Sequence, residues 1–289
     1  MTDTTRTSIA ETIRRTLPRM TPTERKPAYT LLANYPIAGL ETVARFAGRA
    51  DVSSPTILRF IGKLGFDSYS AFQRVLREEL MDRQKSPLHK MPDRPAATKS
   101  GDDFLIHFSE AVCENIRRSF KNISRPEFEA VVELLSAPRR PVYLLGGRLG
   151  DTAARYLYLH LRMLRPLVRH IANQPSVWPE FLLDMGRPDV LLVFDIRRYQ
   201  EDVIRFARDA ARQRATVVLF TDQWLSPIAN VAKHVFPLNI EVPSNWDSAA
   251  ATIALAEALV ADLSSRHWPD IKGRIEKWER MRRPDREDR

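Results

Sequence analysis

Hydroxyl and cationic side chains recur at short intervals between residues 53 and 63, and their types suit contact with a polyanion. Short hydroxyls can bond to base edges or phosphates, and guanidinium and ammonium groups are strong donors to both. If the segment is helical, most of these side chains point away from its apolar residues. Taken singly, the two cations suit phosphate contacts or solvated positions better than base contacts. The candidate nucleic-acid contacts are Ser53, Ser54, Thr56, Arg59 and Lys63.

Two short helical patterns within residues 39–64 must position these side chains. Apolar residues recur at helical spacing in each pattern, including Leu58 in the second. Between the patterns, Ser53 or Ser54 can cap the second helix, while a proline and a glycine (Pro55 and Gly65) suit its first turn and its end. A helix, a short turn and a capped helix predict a helix-turn-helix, whose second helix lies in the major groove of double-stranded DNA.

Charge is uneven along the chain of 289 residues, whose formal net charge is +9. Residues 1–90 hold 15 Lys and Arg against 9 Asp and Glu, whereas residues 91–265 hold 21 of each. A basic N-terminal part on a neutral remainder indicates that polyanion binding is confined to one end. The alternative is a small helical bundle that binds protein, and this charge distribution argues against it.

A set of short motifs lies within residues 20–80. They are Glu24-Arg25-Lys26, Leu40-x-x-Val43-Ala44, Val52-Ser53-x-Pro55-Thr56-x-x-Arg59-Phe60, Lys63-Leu64-Gly65-Phe66 and Tyr69-x-x-Phe72. Together they resemble the N-terminal domain of the RpiR/MurR family of bacterial transcription regulators. The resemblance implies DNA binding by this domain. It also implies a C-terminal sugar-isomerase (SIS) domain, since the family pairs the two.

The remainder of the chain alternates short apolar runs with helical patterns. The runs predict five strands, at 142–145, 167–171, 189–195, 216–222 and 235–240. Such alternation is typical of a parallel sheet covered on both faces, so we expect an α/β three-layer sandwich with a doubly wound, five-stranded parallel sheet that is SIS-like. The expected domains are an all-α helix-turn-helix domain at 1–81, a linker at 82–102, the SIS-like domain at 103–265, and a charged C-terminal tail at 266–289 that frays.

The ligand crevice of such a sheet lies beyond the carboxyl ends of the strands, where helix N-termini offer N–H groups to anions. SIS domains that hold phosphosugars usually carry Ser-x-Ser-Gly-x-Thr after the third strand, but residues 195–200 here are Asp-Ile-Arg-Arg-Tyr-Gln. Guanidinium groups stand near the places of the missing hydroxyls, and they bind carboxylates and phosphates. The expected effector is therefore a small anionic metabolite, a sugar phosphate or an organic acid. The candidate effector-binding residues are Gly147, Arg148, Asp195, Arg197, Arg198, Tyr199, Thr221, Asp222, Ser244 and Asp247.

The same side chains have structural interpretations. The hydroxyls and carboxylates after the fourth strand and before the last helix can cap the elements that follow them. Arg148 and Tyr199 can cover the end of the sheet without touching a ligand. Arg197 or Arg198 can pair with a nearby aspartate and close the pocket, and the candidate partners are Asp195, Asp202 and Asp222.

No catalytic constellation, cofactor motif or metal-binding motif emerges. Glu257 on the last predicted helix is a conceivable base for sugar isomerisation, but its position suits a solvated charge better. We therefore expect a regulator that is not an enzyme and needs no cofactor or metal. The alternative is an SIS-fold sugar-phosphate isomerase or lyase with a helical accessory domain, and a third interpretation is a regulator whose second domain only dimerises. Four histidines fall on different predicted elements, outside the crevice loops: His107, His160, His170 and His234.

Assembly and location follow from size and composition. One helix-turn-helix offers a small DNA interface, so we expect a homo-dimer or tetramer held by the second domain. The sequence opens without a charged-then-apolar leader and has no apolar run of about 20 residues, so we expect a cytoplasmic protein without a membrane partner. Its single cysteine, Cys113, excludes an internal disulfide and a cysteine-based zinc cluster.

Overall fold

The computed structural model describes residues 8–33, 35–84, 101–172 and 174–282. Contacts divide the chain into two compact units. The first contains the N-terminal helices and the segment Gln223–Asn230, and the second contains a parallel sheet with its helices. Most of the predicted linker lies outside the described residues, although one helix ends at Gln84 and the next begins at Gly101.

The N-terminal part of the first unit is helical, as predicted. Apolar side chains of its helices form one core, in which Leu31, Phe46, Phe60 and Phe72 are fully buried. The rings of Phe46 and Phe60 meet edge to face with their centroids 6.5 Å apart. The helices are α1 (Ile9–Thr16), α2 (Pro22–Ala33), α3 (Ile37–Leu40), α4 (Val43–Arg49), α5 (Ser54–Lys63) and α6 (Tyr69–Gln84).

Helices α4 and α5 form the predicted helix-turn-helix. The hydroxyl of Thr42 caps α4 by accepting from the N–H of Arg45 at 3.3 Å. Ser53 stands at the N-cap position of α5, although its hydroxyl makes no capping bond there. Gly65 follows α5 with φ of 93°, in the left-handed region that favours glycine. The turn and both helix ends therefore lie where residue type predicts them.

Side chains of α6 fix the segment that leads into α4. The Tyr69 hydroxyl is shared between the carbonyl oxygens of Gly39 at 3.1 Å and Glu41 at 2.9 Å. Gln73 donates to the same two carbonyls and to that of Leu40. Burial raises the pKa of Tyr69 to about 12, which keeps this hydroxyl protonated over a wider pH range than an exposed tyrosine.

The second unit contains a five-stranded parallel sheet in the order β2-β1-β3-β4-β5. Every residue of β1 and β3 is buried, as expected for central strands covered on both faces. The predicted three-layer sandwich is therefore confirmed. The strands are β1 (Val142–Gly146), β2 (Val168–His170), β3 (Val190–Phe194), β4 (Thr216–Asp222) and β5 (His234–Leu238).

Helices cover the two faces of this sheet. Residues of α8, α9 and α12 share one buried core with Leu144, Leu192 and Phe236 of the sheet. Helix α11 packs on β3 and β4, with α10 beside it. The helices of this unit are α7 (Gly101–Asn122), α8 (Arg125–Ser136), α9 (Gly150–Leu164), α10 (Trp178–Leu183), α11 (Glu201–Arg212), α12 (Ala250–Arg266) and α13 (Trp268–Arg282).

The C-terminal tail departs from the expectation that it frays, because most of it forms α13. Ile271 of this helix is buried, and the Arg274 guanidinium donates to the carbonyl of Arg162 at 2.8 Å. That carbonyl lies in the last turn of α9, where backbone oxygens lack partners within the helix. Ile271 and Arg274 thus hold α13 in place, although its charged composition had suggested a solvated tail.

Candidate DNA-binding helix and ligand crevice

The exposed face of α5 carries Pro55, Leu58, Arg59, Gly62 and Lys63. The sequence predicted the two cations on this face but assigned Leu58 to the buried stripe. Leu58 is instead 48% exposed. The exposed face therefore combines cations with apolar surface.

Thr56 was predicted to face DNA, and this prediction is wrong. Its side chain is buried, and its hydroxyl accepts from the Arg59 guanidinium at 3.2 Å. The same hydroxyl bonds to that of Ser53 at 3.0 Å. Thr56 lies beside the apolar stripe, so helical geometry turns it toward the core. Its contact with Arg59 orients that side chain, while Ser53 is exposed and Ser54 is half-buried.

Lys63 is tied to the neighbouring segment of the unit. Its ammonium donates to the Glu24 carboxylate at 2.8 Å and to the carbonyl of Arg19 at 3.2 Å. The hydrogen bond from Lys63 lowers the pKa of Glu24 below its ordinary value. A DNA phosphate at Lys63 would therefore compete with, or add to, an existing ion pair.

In the second unit, the strand order reverses between β1 and β3. Ligands of such sheets bind at this switch point. The N–H of Gly147 donates to the carbonyl of Phe194 at 3.2 Å, and the N–H of Arg148 donates to the side-chain oxygen of Gln200. A Cβ atom at Gly147 would collide with that oxygen, so a larger residue there would require the Gln200 side chain to move. The loops that follow β1 and β3 therefore form one continuous surface.

Arg197 and Arg198, in the loop after β3, differ in burial and in their partners. Both have left-handed backbone conformations, with φ of 23° and 58°. Arg197 is buried, and its guanidinium lies 3.1 Å from Glu241 and 3.4 Å from Asp247. Pairing of Arg197 inside the protein is one of the two interpretations of the sequence, and Glu241 and Asp247, in the segment before α12, are partners that the sequence did not indicate. Arg198 is exposed.

Asp222 braces the loop that contains these arginines. Its carboxylate accepts from the N–H of Arg197 at 2.6 Å and from the hydroxyl of Tyr199 at 2.7 Å. Thr221 and Asp222 are fully buried at the end of β4, and Asp195 is 2% exposed. Asp222 therefore bonds to the loop that follows β3, through the backbone N–H of Arg197 and the side chain of Tyr199.

Ser244 and Asp247 do not cap α12. The Ser244 hydroxyl accepts from the N–H of Trp246 at 3.1 Å, and Asp247 pairs with Arg197. Instead, the Ser248 hydroxyl accepts from the N–H of Ala250, where α12 begins, at 3.2 Å.

A histidine that the sequence placed outside the crevice lies at its edge. The Nε2 atom of His170, at the end of β2, is 2.7 Å from the Asp151 carboxylate in the first turn of α9. Each side chain is 15% exposed. Since β1 and β2 are adjacent and parallel, their carboxyl ends bring this pair together. No sequence signal indicates it, because neither residue lies in a motif.

Two family matches cover the two domains. Residues 7–83 match the helix-turn-helix domain of the rpiR family, and residues 134–261 match the SIS domain. No curated protein sequence matches the chain. Within the described residues, no helix is both long and apolar enough to cross a membrane.

Two solved structures share this architecture. The sugar isomerase domain of an RpiR transcription factor from Sphaerobacter thermophilus covers 62% of this chain and 99% of its own, with a TM-score of 0.58 at 19% identity. The Vibrio vulnificus NanR protein, solved with ManNAc-6P, covers 95% of this chain and 97% of its own, with a TM-score of 0.54 at 16% identity. At these identities the likeness shows the fold.

An rpiR-type helix-turn-helix domain thus precedes an SIS domain, and the two matches together span most of the chain. This protein belongs to the RpiR family of DNA-binding transcription regulators, which carry a C-terminal SIS domain for carbohydrate derivatives.

Proposed function

We propose that this protein is a cytoplasmic transcription regulator that binds operator DNA through α5 and senses a small anionic metabolite, a sugar phosphate or an organic acid, in its SIS domain. One observation carries the choice of an anion. Arg148 and Arg198 are exposed on the two loops of the switch point, which the Gln200 side chain joins. Within the described residues, neither guanidinium has an ion-pair partner, so both are available to a ligand.

The guanidinium groups, more than the N-termini of α9 and α11, must hold such an anion. Asp151 stands in the first turn of α9, and Glu201 and Asp202 stand in that of α11. These carboxylates offset the positive ends of both helix dipoles. The complex of Vibrio NanR with ManNAc-6P supports a sugar phosphate as one class to test.

Thermal unfolding with a panel of sugar phosphates and organic acids tests the proposal. A ligand at one hundred times its Kd should stabilise the protein by about 2.7 kcal/mol. The same ligand should change the affinity for DNA in a gel-shift assay. If no anion in the panel alters either quantity, the second domain serves assembly alone.

The contact between His170 and Asp151 favours a second candidate, an SIS-fold sugar-phosphate isomerase or lyase. A histidine held 2.7 Å from a carboxylate at the crevice edge is suited to proton transfer at carbon. Turnover of aldose and ketose phosphates by the purified protein would establish this activity if a His170→Asn variant abolished it. Absence of turnover in both proteins would support a regulator without catalysis.

Assembly as a homo-dimer or tetramer is part of the proposal, and α7 supplies its support. Phe104, Leu105 and Ile106 are 44%, 69% and 58% exposed. Three consecutive apolar residues cover more than one side of a helix, and a helix that is apolar on several sides is normally buried. We therefore expect this part of α7 to lie in an interface between copies.

Replacing Leu105 with Glu should convert the dimer or tetramer to monomer, because the interface would bury an unpaired charge. Light scattering on the full chain at micromolar concentration measures the change. Leu183→Glu is the matched control, since Leu183 is 84% exposed on α10. A wild-type monomer, or a Leu105→Glu variant that assembles normally, would contradict the prediction.

A further inference from the structure

The centre of the exposed α5 face is apolar. Leu58 is 48% exposed there, with Pro55 one turn before it and Gly62 one turn after it. The Lys63 ammonium is drawn toward Glu24, which leaves Arg59 as the cation beside Leu58. Single exposed leucines are common on protein surfaces, so exposure alone identifies no contact. Leu58 is distinguished by its position on the side of α5 that faces the groove in the proposed function.

Gly62 is a second, independent feature of the same face. A Cβ atom at Gly62 would meet nothing within 4 Å, so packing inside the protein does not require glycine. Glycine within a helix destabilises it relative to alanine. Its presence one turn from Leu58 leaves room for another molecule to approach the α5 backbone closely.

The major groove offers one apolar group to such a surface, the 5-methyl group of thymine. We propose that Leu58 contacts a thymine methyl group in each operator half-site, and that Gly62 permits the approach that brings them together. Arg59 then contacts a neighbouring base or phosphate. The inference rests on the proposed function, since it requires α5 to enter the major groove, and it specifies a base preference that the function leaves open.

Exchange of thymine for deoxyuridine tests this contact, because only the methyl group is lost. The full-length protein is first used to select binding sequences from a random duplex pool. Each thymine of a selected sequence is then replaced by deoxyuridine, one position at a time. We expect one position in each half-site at which the exchange weakens binding about fourfold, the effect of one buried methyl group.

Two variants assign that effect to α5. Leu58→Ala should bind the thymine and deoxyuridine duplexes equally, because the methyl group loses its partner. Gly62→Ala should leave thermal stability unchanged or higher, since alanine favours helix, while its affinity for every selected duplex falls. Opposite changes in stability and affinity would separate a DNA contact from a folding defect.

Two outcomes would overturn the proposal while DNA binding by this domain stands. One is a selected sequence that tolerates every deoxyuridine exchange, and another is a Leu58→Ala variant that keeps the wild-type dependence on the methyl group. Failure to select any sequence would count against the proposed regulator function itself, and the thymine contact would fall with it.

Discussion

An Arg59→Ala variant should lose roughly 5- to 150-fold of its affinity for a selected operator, the equivalent of 1–3 kcal/mol for one base contact. Arg59 is exposed on the α5 face, and its guanidinium is oriented by the Thr56 hydroxyl at 3.2 Å. Non-specific DNA should be affected much less, because that binding depends on the number of phosphate contacts. Gel shifts on selected and unrelated duplexes measure the two losses.

Thr56→Val tests the orienting role that the structure assigns to this buried residue. Valine keeps the shape of the side chain but removes the hydroxyl that accepts from Arg59. We expect a smaller loss on the selected operator than for Arg59→Ala, and no change on unrelated DNA. Wild-type specificity in the Arg59→Ala variant would reject Arg59 as a base contact.

Lys63 should behave differently, because Glu24 already pairs with it at 2.8 Å. If Lys63 also contacts phosphate, Lys63→Ala should weaken all sequences alike and flatten the salt dependence by about one unit. Glu24→Gln is the matched variant, since it frees the ammonium and removes a negative charge, and it should strengthen binding to every sequence. If Arg59→Ala and Lys63→Ala both bind normally, α5 is not the helix in the groove.

The wrong assignments of Thr56 and Leu58 show how precisely hydrophobic periodicity predicts the buried face of α5. The left-handed Gly65 follows from local chemistry, and Ser53 lies at the cap position that its residue type predicts, although its hydroxyl makes no capping bond. Thr56 and Leu58 lie on either side of the buried stripe, and helical spacing assigns such flanking positions only within about a residue. The packing of α5 in its helical core decided between them, burying the threonine and exposing the leucine.

In the second unit, the strands and the loops at their carboxyl ends were predictable, but the strand order and the partners of the crevice residues were not. Continuous apolar runs identify buried parallel strands, and strand order places their loops together. Arg197 pairs with Glu241, which lies 44 residues further along the chain, and the sequence offered nearer aspartates. The pair of His170 and Asp151 likewise depends on the adjacency of β1 and β2.

Arg197→Ala should lower the free energy of unfolding by roughly 2–3 kcal/mol, because two carboxylates would lose a buried partner. The Arg197 side chain is only 4% exposed, whereas Glu241 is 40% and Asp247 is 23% exposed. Those carboxylates can regain water, so we expect a loss below that of a fully buried pair. Thermal unfolding of the full chain measures the loss, and gel shifts should show that DNA binding persists below the transition.

Arg198→Gly should have the opposite profile, with stability kept and the response to anions lost. Arg198 is exposed and has φ of 58°, at the position where phosphosugar-binding SIS domains usually carry glycine. Glycine accepts that conformation without strain, so stability should be unchanged or raised by up to about 1 kcal/mol. The anion that stabilises the wild type should then give no thermal shift and no change in DNA binding. If the Arg198→Gly variant responds fully to the anion, the site proposed at Arg148 and Arg198 is contradicted. If a stable Arg197→Ala protein no longer responds to the anion, the anion binds at Arg197 instead.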